Sequence, residues 1–85
     1  MNSRQRKTLE ALFAEPTLGN IPWRDIEALF LALGADREEG RGSRVRFLLN
    51  DVMAVFHRPH PQKETDRGAV VSARRFLTEA GVKPC

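Results

Sequence analysis

The chain has 85 residues, 41% of them apolar, and a formal net charge of +3. A chain this short buries only about 60–65% of the surface its unfolded form exposes, so it owns one modest core, with no room for a cofactor fold beside a substrate domain. No apolar run approaches the ~20 residues that span a bilayer. The basic start Met1-Asn2-Ser3-Arg4-Gln5-Arg6-Lys7 has no apolar signal core behind it, so a cytoplasmic protein is expected.

Residues 4–14 place Leu9, Leu12 and Phe13 on one helical stripe, and Pro16 stops that helix. Thr17-Leu18-Gly19-Asn20 reads as a loop. Pro22 suits a first helical position, where its missing N–H costs nothing. Asp25 and Glu27 favour the positive end of the helix dipole. Ile26, Leu29, Phe30 and Leu33 define a buried face, and Gly34 is a C-terminal stop. Trp23, at the start of this helix, is expected to pack rather than to stack on a base.

Ala35 to Glu39 is expected to form a short edge strand, with Asp36, Glu38 and Glu39 read as solvated, and Gly40-Arg41-Gly42 a flexible turn. Residues 43–49 and 52–57 alternate as strands do, joined by Asn50-Asp51. The pairs are then Leu49 with Val52, Phe47 with Ala54, and Val45 with Phe56, which gives one apolar face; agreement between turn length and apolar pattern supports this register. The other face carries Arg44, Arg46, Leu48, Met53, Val55 and His57, with Arg44 directly across from His57. Cross-strand Cβ atoms lie about 5 Å apart, so an arginine is placed beside a histidine on the outer side of the sheet.

His57-Arg58-Pro59-His60-Pro61 leaves the strand as a stiff segment, because the residue before each proline is kept out of the helical region. Thr65 or Asp66 caps a last helix. Val70, Ala73, Leu77 and Ala80 form its apolar stripe with Phe76 beside it; Gly81 ends it, and Arg74 and Arg75 fall on its polar side. The expected architecture is α+β: a small antiparallel three-stranded sheet packed on helices. It is one compact unit, with residues 1–20 as an N-terminal helical extension and loop and residues 21–85 as the main domain.

Charge is unevenly spread. Residues 1–40 carry five basic groups and seven acidic ones, whereas residues 41–75 carry eight basic and three acidic. All but one of those eight are arginine, whose planar fork suits phosphate, and this asymmetry points to a polyanion partner. Other chemistry lacks its residues. Cys85 stands alone, so it forms no intrachain disulfide and is read as a free terminal thiol. No Cys/His set has zinc spacing. Gly40-Arg41-Gly42-Ser43 is neither a P-loop nor a dinucleotide fingerprint.

The Leu33-Gly34-Ala35 helix end, the Gly42-Ser43-Arg44 strand start, Pro59-His60-Pro61 after the hairpin and the closing helix from Gly68 to Gly81 together resemble the HicA toxin family of bacterial toxin–antitoxin systems, over roughly residues 22–83. The resemblance implies a double-stranded-RNA-binding-like fold. It implies an mRNA endoribonuclease that works without metal or cofactor, silenced by a HicB-type antitoxin. The family often carries a catalytic histidine immediately after the Gly-Ser pair; here that slot is Arg44. Residues 4–14 resemble an addition to a shorter toxin.

RNA carries its own nucleophile, the 2′-OH. Cleavage needs a base for its proton, an acid for the leaving 5′-oxygen and positive charge at the phosphorane. Histidine suits the first two roles and arginine the third. The expected catalytic set is therefore His57 for proton transfer, Arg44 on the phosphate and His60 as a second proton-transfer or orienting group. Arg41, Arg46, Arg58 and Lys63 are the expected RNA anchors. Two other readings use the same face: a noncatalytic RNA-binding module, and a protein-interaction domain that docks a partner on Leu48, Met53 and Val55.

Overall fold

In a computed structural model, which describes residues 1–84, the elements run α1 (Ser3–Leu12), β1 (Ile21–Pro22), α2 (Trp23–Ala32), β2 (Asp36–Glu39), β3 (Arg44–Leu49), β4 (Val52–His57), β5 (Glu64–Thr65) and α3 (Arg67–Glu79). The expected free thiol at Cys85 lies outside the described residues. α2, the antiparallel β2-β3-β4 sheet and α3 reproduce the helix–three strands–helix order of double-stranded-RNA-binding-like domains. Among the described residues, no helix is long and apolar enough to cross a membrane.

Helix ends follow local chemistry. α1 opens with a capping box in which Asn2 Oδ1 accepts from the Gln5 N–H and Gln5 Oε1 from the Asn2 N–H. That box starts the helix earlier than the apolar stripe alone predicts. The helix also stops earlier: the Phe13 and Ala14 N–H groups turn back three residues, to Glu10 and Ala11, as the chain approaches Pro16. α2 and α3 both end in Schellman motifs. Ala35 N–H donates to Phe30 O and Gly34 N–H to Leu31 O; Val82 N–H donates to Leu77 O and Gly81 N–H to Thr78 O. Gly34 and Gly81 hold the left-handed conformation these motifs need, with φ of 98° and 85°. Asp66 is the α3 cap, accepting from the Ala69 N–H.

Pro22 departs from expectation. It precedes α2 rather than opening it, at φ −60° and ψ 130°, and pairs across from Glu64 while Ile21 pairs with Thr65. The Trp23 N–H then donates to Lys63 O at 2.9 Å. This two-residue ribbon ties the start of α2 to the start of α3. It joins residues more than 40 positions apart, and nothing local in the sequence announces it.

The β3–β4 hairpin has the predicted register, from Arg44 opposite His57 to Leu49 opposite Val52. Asn50 and Asp51 have φ of 50° and 67°, the positive pair of a type I′ turn, which Asn and Asp tolerate. Asn50 Nδ2 also donates to Ala80 O at 2.7 Å, fastening the turn to the end of α3. The inner sheet face packs on α2 and α3. Phe30 is the hub, fully buried, with its ring 5.0 Å from Phe47, 5.6 Å from Phe56 and 5.1 Å from Phe76 between centroids. Ile26, Leu29, Val70, Ala73, Leu77 and Ala80 fill the rest, and Leu9 and Leu12 of α1 join the same core. Leu33 is only partly buried, because the helix is already ending there.

Candidate functional site

The outer face of the β3–β4 hairpin carries the candidate residues Arg44, Arg46 and His57. A two-residue turn makes Leu49 and Val52 a hydrogen-bonded pair, and such pairs alternate with non-bonded ones along the ribbon. The Arg58 N–H bond to Ser43 O, 2.9 Å, fixes the phase at the other end. Arg44 and His57 are therefore a non-hydrogen-bonded pair, the kind whose side chains stand closest. Both are exposed. They lie at the open end of the hairpin, on the side away from the core.

Arg44 is supported from below. The Gly40 N–H donates to Arg44 O at 2.9 Å. A Cβ on Gly40 would come within 3.1 Å of Arg44 Cβ and 3.2 Å of Arg44 O. Glycine is thus what lets the turn close against the Arg44 stem. Among the described residues Arg44 forms no ion pair. Arg46, one pair further along the same face, is bonded to Glu38 across the β2–β3 ladder. So Asp36 and Glu38 stand, exposed, on the outer face of the expected edge strand, in line with Leu48 and Arg46. Leu48, Met53 and Val55 complete the face, with 43%, 60% and 51% of their surface exposed.

The remaining candidates are dispersed. His60 is exposed on the proline-rich segment that follows β4, and Arg41 is exposed in the turn that precedes β3. Lys63 lies further along that segment, where its carbonyl holds the Trp23 N–H. There, a groove of about 540 Å³ separates the proline-rich segment from the start of α2, with Trp23, Arg24 and Lys63 on its wall.

Arg58 takes the opposite direction from His57. Successive residues alternate sides along an extended chain, and the Arg58 guanidinium reaches α2. Its Nε donates to Glu27 Oε1 at 3.0 Å and its Nη2 to Glu27 Oε2 at 2.8 Å; Nη1 and Nη2 also bind Glu39 at 2.6 and 2.9 Å. To hold a phosphate, this side chain would have to leave two carboxylates. Arg74 is similarly occupied. It donates to Leu12 O, Ala14 O, Thr17 Oγ1 and Glu15, so it straps the end of α1 onto α3 instead of lying on a free polar face.

Sequence reasoning missed the cluster around Glu27. That residue is buried and accepts from Trp23 Nε1 at 2.7 Å, Arg37 Nη1 at 2.7 Å and Arg58. Burial works to raise its pKa, but the hydrogen bonds from Arg58, Arg37 and Trp23, with the Arg58 charge, outweigh it and hold the carboxyl below its usual range. The Arg58 hydrogen bond also lowers Glu39. Arg58 itself is raised, first by its bond to Glu39 and then by that to Glu27. The available signal was the Trp23–Glu27 spacing of four, which puts an indole N–H beside a carboxylate on one helix face. Trp23 packs in the core edge against Phe56, as expected, with ring centroids 5.5 Å apart.

A family model described as HicA toxin of bacterial toxin-antitoxin matches residues 23–82 of the 85. The chain belongs to the HicA toxin family. Its match spans α2 through α3 and leaves α1 outside. No curated protein and no solved structure matches the chain. Membership in this family of toxin–antitoxin systems implies an antitoxin partner for this HicA chain.

Proposed function

We propose that this HicA chain is an mRNA endoribonuclease that cuts through the RNA's own 2′-OH without a metal ion, and that a HicB-type antitoxin silences it. The reading rests on one observation, the apposition of Arg44 and His57 on the exposed face of the hairpin. His57 takes the 2′-OH proton as the 2′-oxygen attacks phosphorus. The P–O5′ bond breaks, leaving a 2′,3′-cyclic phosphate, and the departing 5′-oxygen takes a proton from His60 or, with His60 only orienting the strand, from solvent. Arg44 faces the charge that builds on the phosphoryl oxygens, where a fixed guanidinium lowers the barrier most. Arg41, Arg46 and Lys63 guide the flanking phosphates, and Arg58 holds the end of β4 in place. The histidine slot of the family is thereby moved across the ladder, from position 44 to its partner His57. Residues 1–20 act as an extension that seals the core of the main domain over residues 21–85.

The test is incubation of the purified protein with a long RNA in EDTA. Cleavage to cyclic-phosphate ends is expected. Loss of a general acid–base is worth about 10²–10⁴-fold for His57→Ala, and loss of an electrostatic stabiliser about 10²–10³-fold for Arg44→Ala. Intact RNA held with a steep salt dependence instead identifies a noncatalytic binding module. The exposed Leu48, Met53 and Val55 beside the basic pair suit a surface that an antitoxin covers in the resting state. A charged substitution at Met53 is expected to weaken antitoxin binding while leaving RNA cleavage in place.

A further inference from the structure

The two edges of the three-stranded sheet differ in kind. β2 exposes Asp36-Arg37-Glu38-Glu39, a short strand of charges only, which is how sheets discourage strand addition. β4 exposes Val52-Met53-Ala54-Val55-Phe56-His57, six residues with no lysine, no carboxylate and no proline. The ladder phase set by the turn points the main-chain N–H and C=O groups of Val52, Ala54 and Phe56 at β3, and those of Met53, Val55 and His57 away from it. Among the described residues, nothing hydrogen-bonds these three outward positions.

We infer that this edge docks a second copy of the chain, β4 against β4 in antiparallel. A register centred on Val55 uses every outward group. Val55 pairs with Val55 of the second copy, and Met53 with His57 in both directions, each pair exchanging two hydrogen bonds. The side chains match as well. Large Phe56 falls opposite small Ala54 on the core side, and no charged side chain meets another across the seam. A partner strand of different sequence could add to the edge; self-pairing is favoured because the edge is complementary to itself about Val55. The two sheets become one continuous six-stranded sheet, and the inference is independent of any RNA chemistry.

Val55 lies on the two-fold axis of this dimer, which makes a charge swap decisive. Its side chain is half exposed in the single chain, so Val55→Lys and Val55→Glu are compatible with the fold, which circular dichroism verifies. Sedimentation velocity on the wild type across a concentration series is expected to show monomer passing to dimer. Each variant alone is expected to stay monomeric, because like charges face each other on the axis. An equimolar mixture of the two is expected to form a heterodimer, read by native mass spectrometry, with the backbone amides at positions 53, 55 and 57 gaining exchange protection. A wild type that remains monomeric throughout, a dimer indifferent to Val55→Lys, or variants that fail to associate on mixing would each overturn the inference.

Discussion

Arg58 and Glu27 are joined by two hydrogen bonds, 3.0 Å from Nε to Oε1 and 2.8 Å from Nη2 to Oε2, across the seam between the end of β4 and α2. Position 58 immediately follows His57, and its own N–H closes the ladder onto Ser43, next to Arg44. The pair therefore anchors the open end of the hairpin to the helix layer. The pair is part-buried rather than sealed from water, and Arg37 and Trp23 still serve Glu27, so Arg58→Ala is expected to cost about 1.5–3 kcal/mol, as for hydrogen bonds to a charged group. Arg58→Lys should recover little, since an ammonium cannot span two carboxylates as the fork does. Urea denaturation of the three proteins measures this.

Acid sensitivity follows from the same cluster. The Glu27 carboxyl titrates below its ordinary value near 4.5 in the folded chain, so the native state binds its proton less readily than the unfolded state. That stability is fully present above about pH 4.5 and is lost as pH falls through the lowered folded value. Glu27→Gln should melt lower at neutral pH and show a shallower fall below pH 4.5. Melting temperatures across an acid series decide the matter; parallel curves for the two proteins would refute this assignment.

Gly40→Ala tests the support beneath Arg44. The added methyl meets Arg44 Cβ at 3.1 Å and, less yieldingly, the Arg44 carbonyl at 3.2 Å. The β2–β3 turn must open by a few tenths of an ångström. Overpacking of this kind costs about 1–3 kcal/mol. On the proposed mechanism, in which Arg44 faces the phosphate, RNA cleavage should drop by more than the folded fraction does, because the guanidinium is displaced. Comparing activity with folded population at one temperature separates the two effects.

Arg74 is expected to decide how firmly α1 is held. Its guanidinium serves Leu12 O at 2.8 Å, Ala14 O and Thr17 Oγ1 at 3.2 Å, and Glu15 at 3.1 Å. Hydrogen bonds to a charged donor are worth about 1.5–3 kcal/mol, so Arg74→Ala should cost roughly that amount. The loss should concentrate at α1, seen as faster amide exchange there than in the Phe30 core. A uniform change across the chain would refute a local strap.

The hairpin was legible in the sequence because its determinants are local. A period-two apolar pattern and a two-residue turn point to the same pairing, so the opposition of Arg44 and His57 could be read before any coordinates. The closing glycines of α2 and α3 were legible for the same reason, since a Schellman motif draws on neighbouring residues alone. The directions of Arg58 and Arg74 were not. Both were counted as free surface charge, and both proved to be bonded to residues far along the chain: Arg58 to Glu27, and Arg74 to Leu12.

Sequence by itself determined the three helices, the β3–β4 register and which hairpin residues share the outer face, because backbone geometry ties each of these to near neighbours. Only the tertiary structure decided which cations remain free. That depends on which carboxylates and carbonyls distant segments bring within reach, as Glu27 and Glu39 do for Arg58 while Arg44 is left exposed on the open face. A charge in the sequence has a sign, but its partner is set by packing.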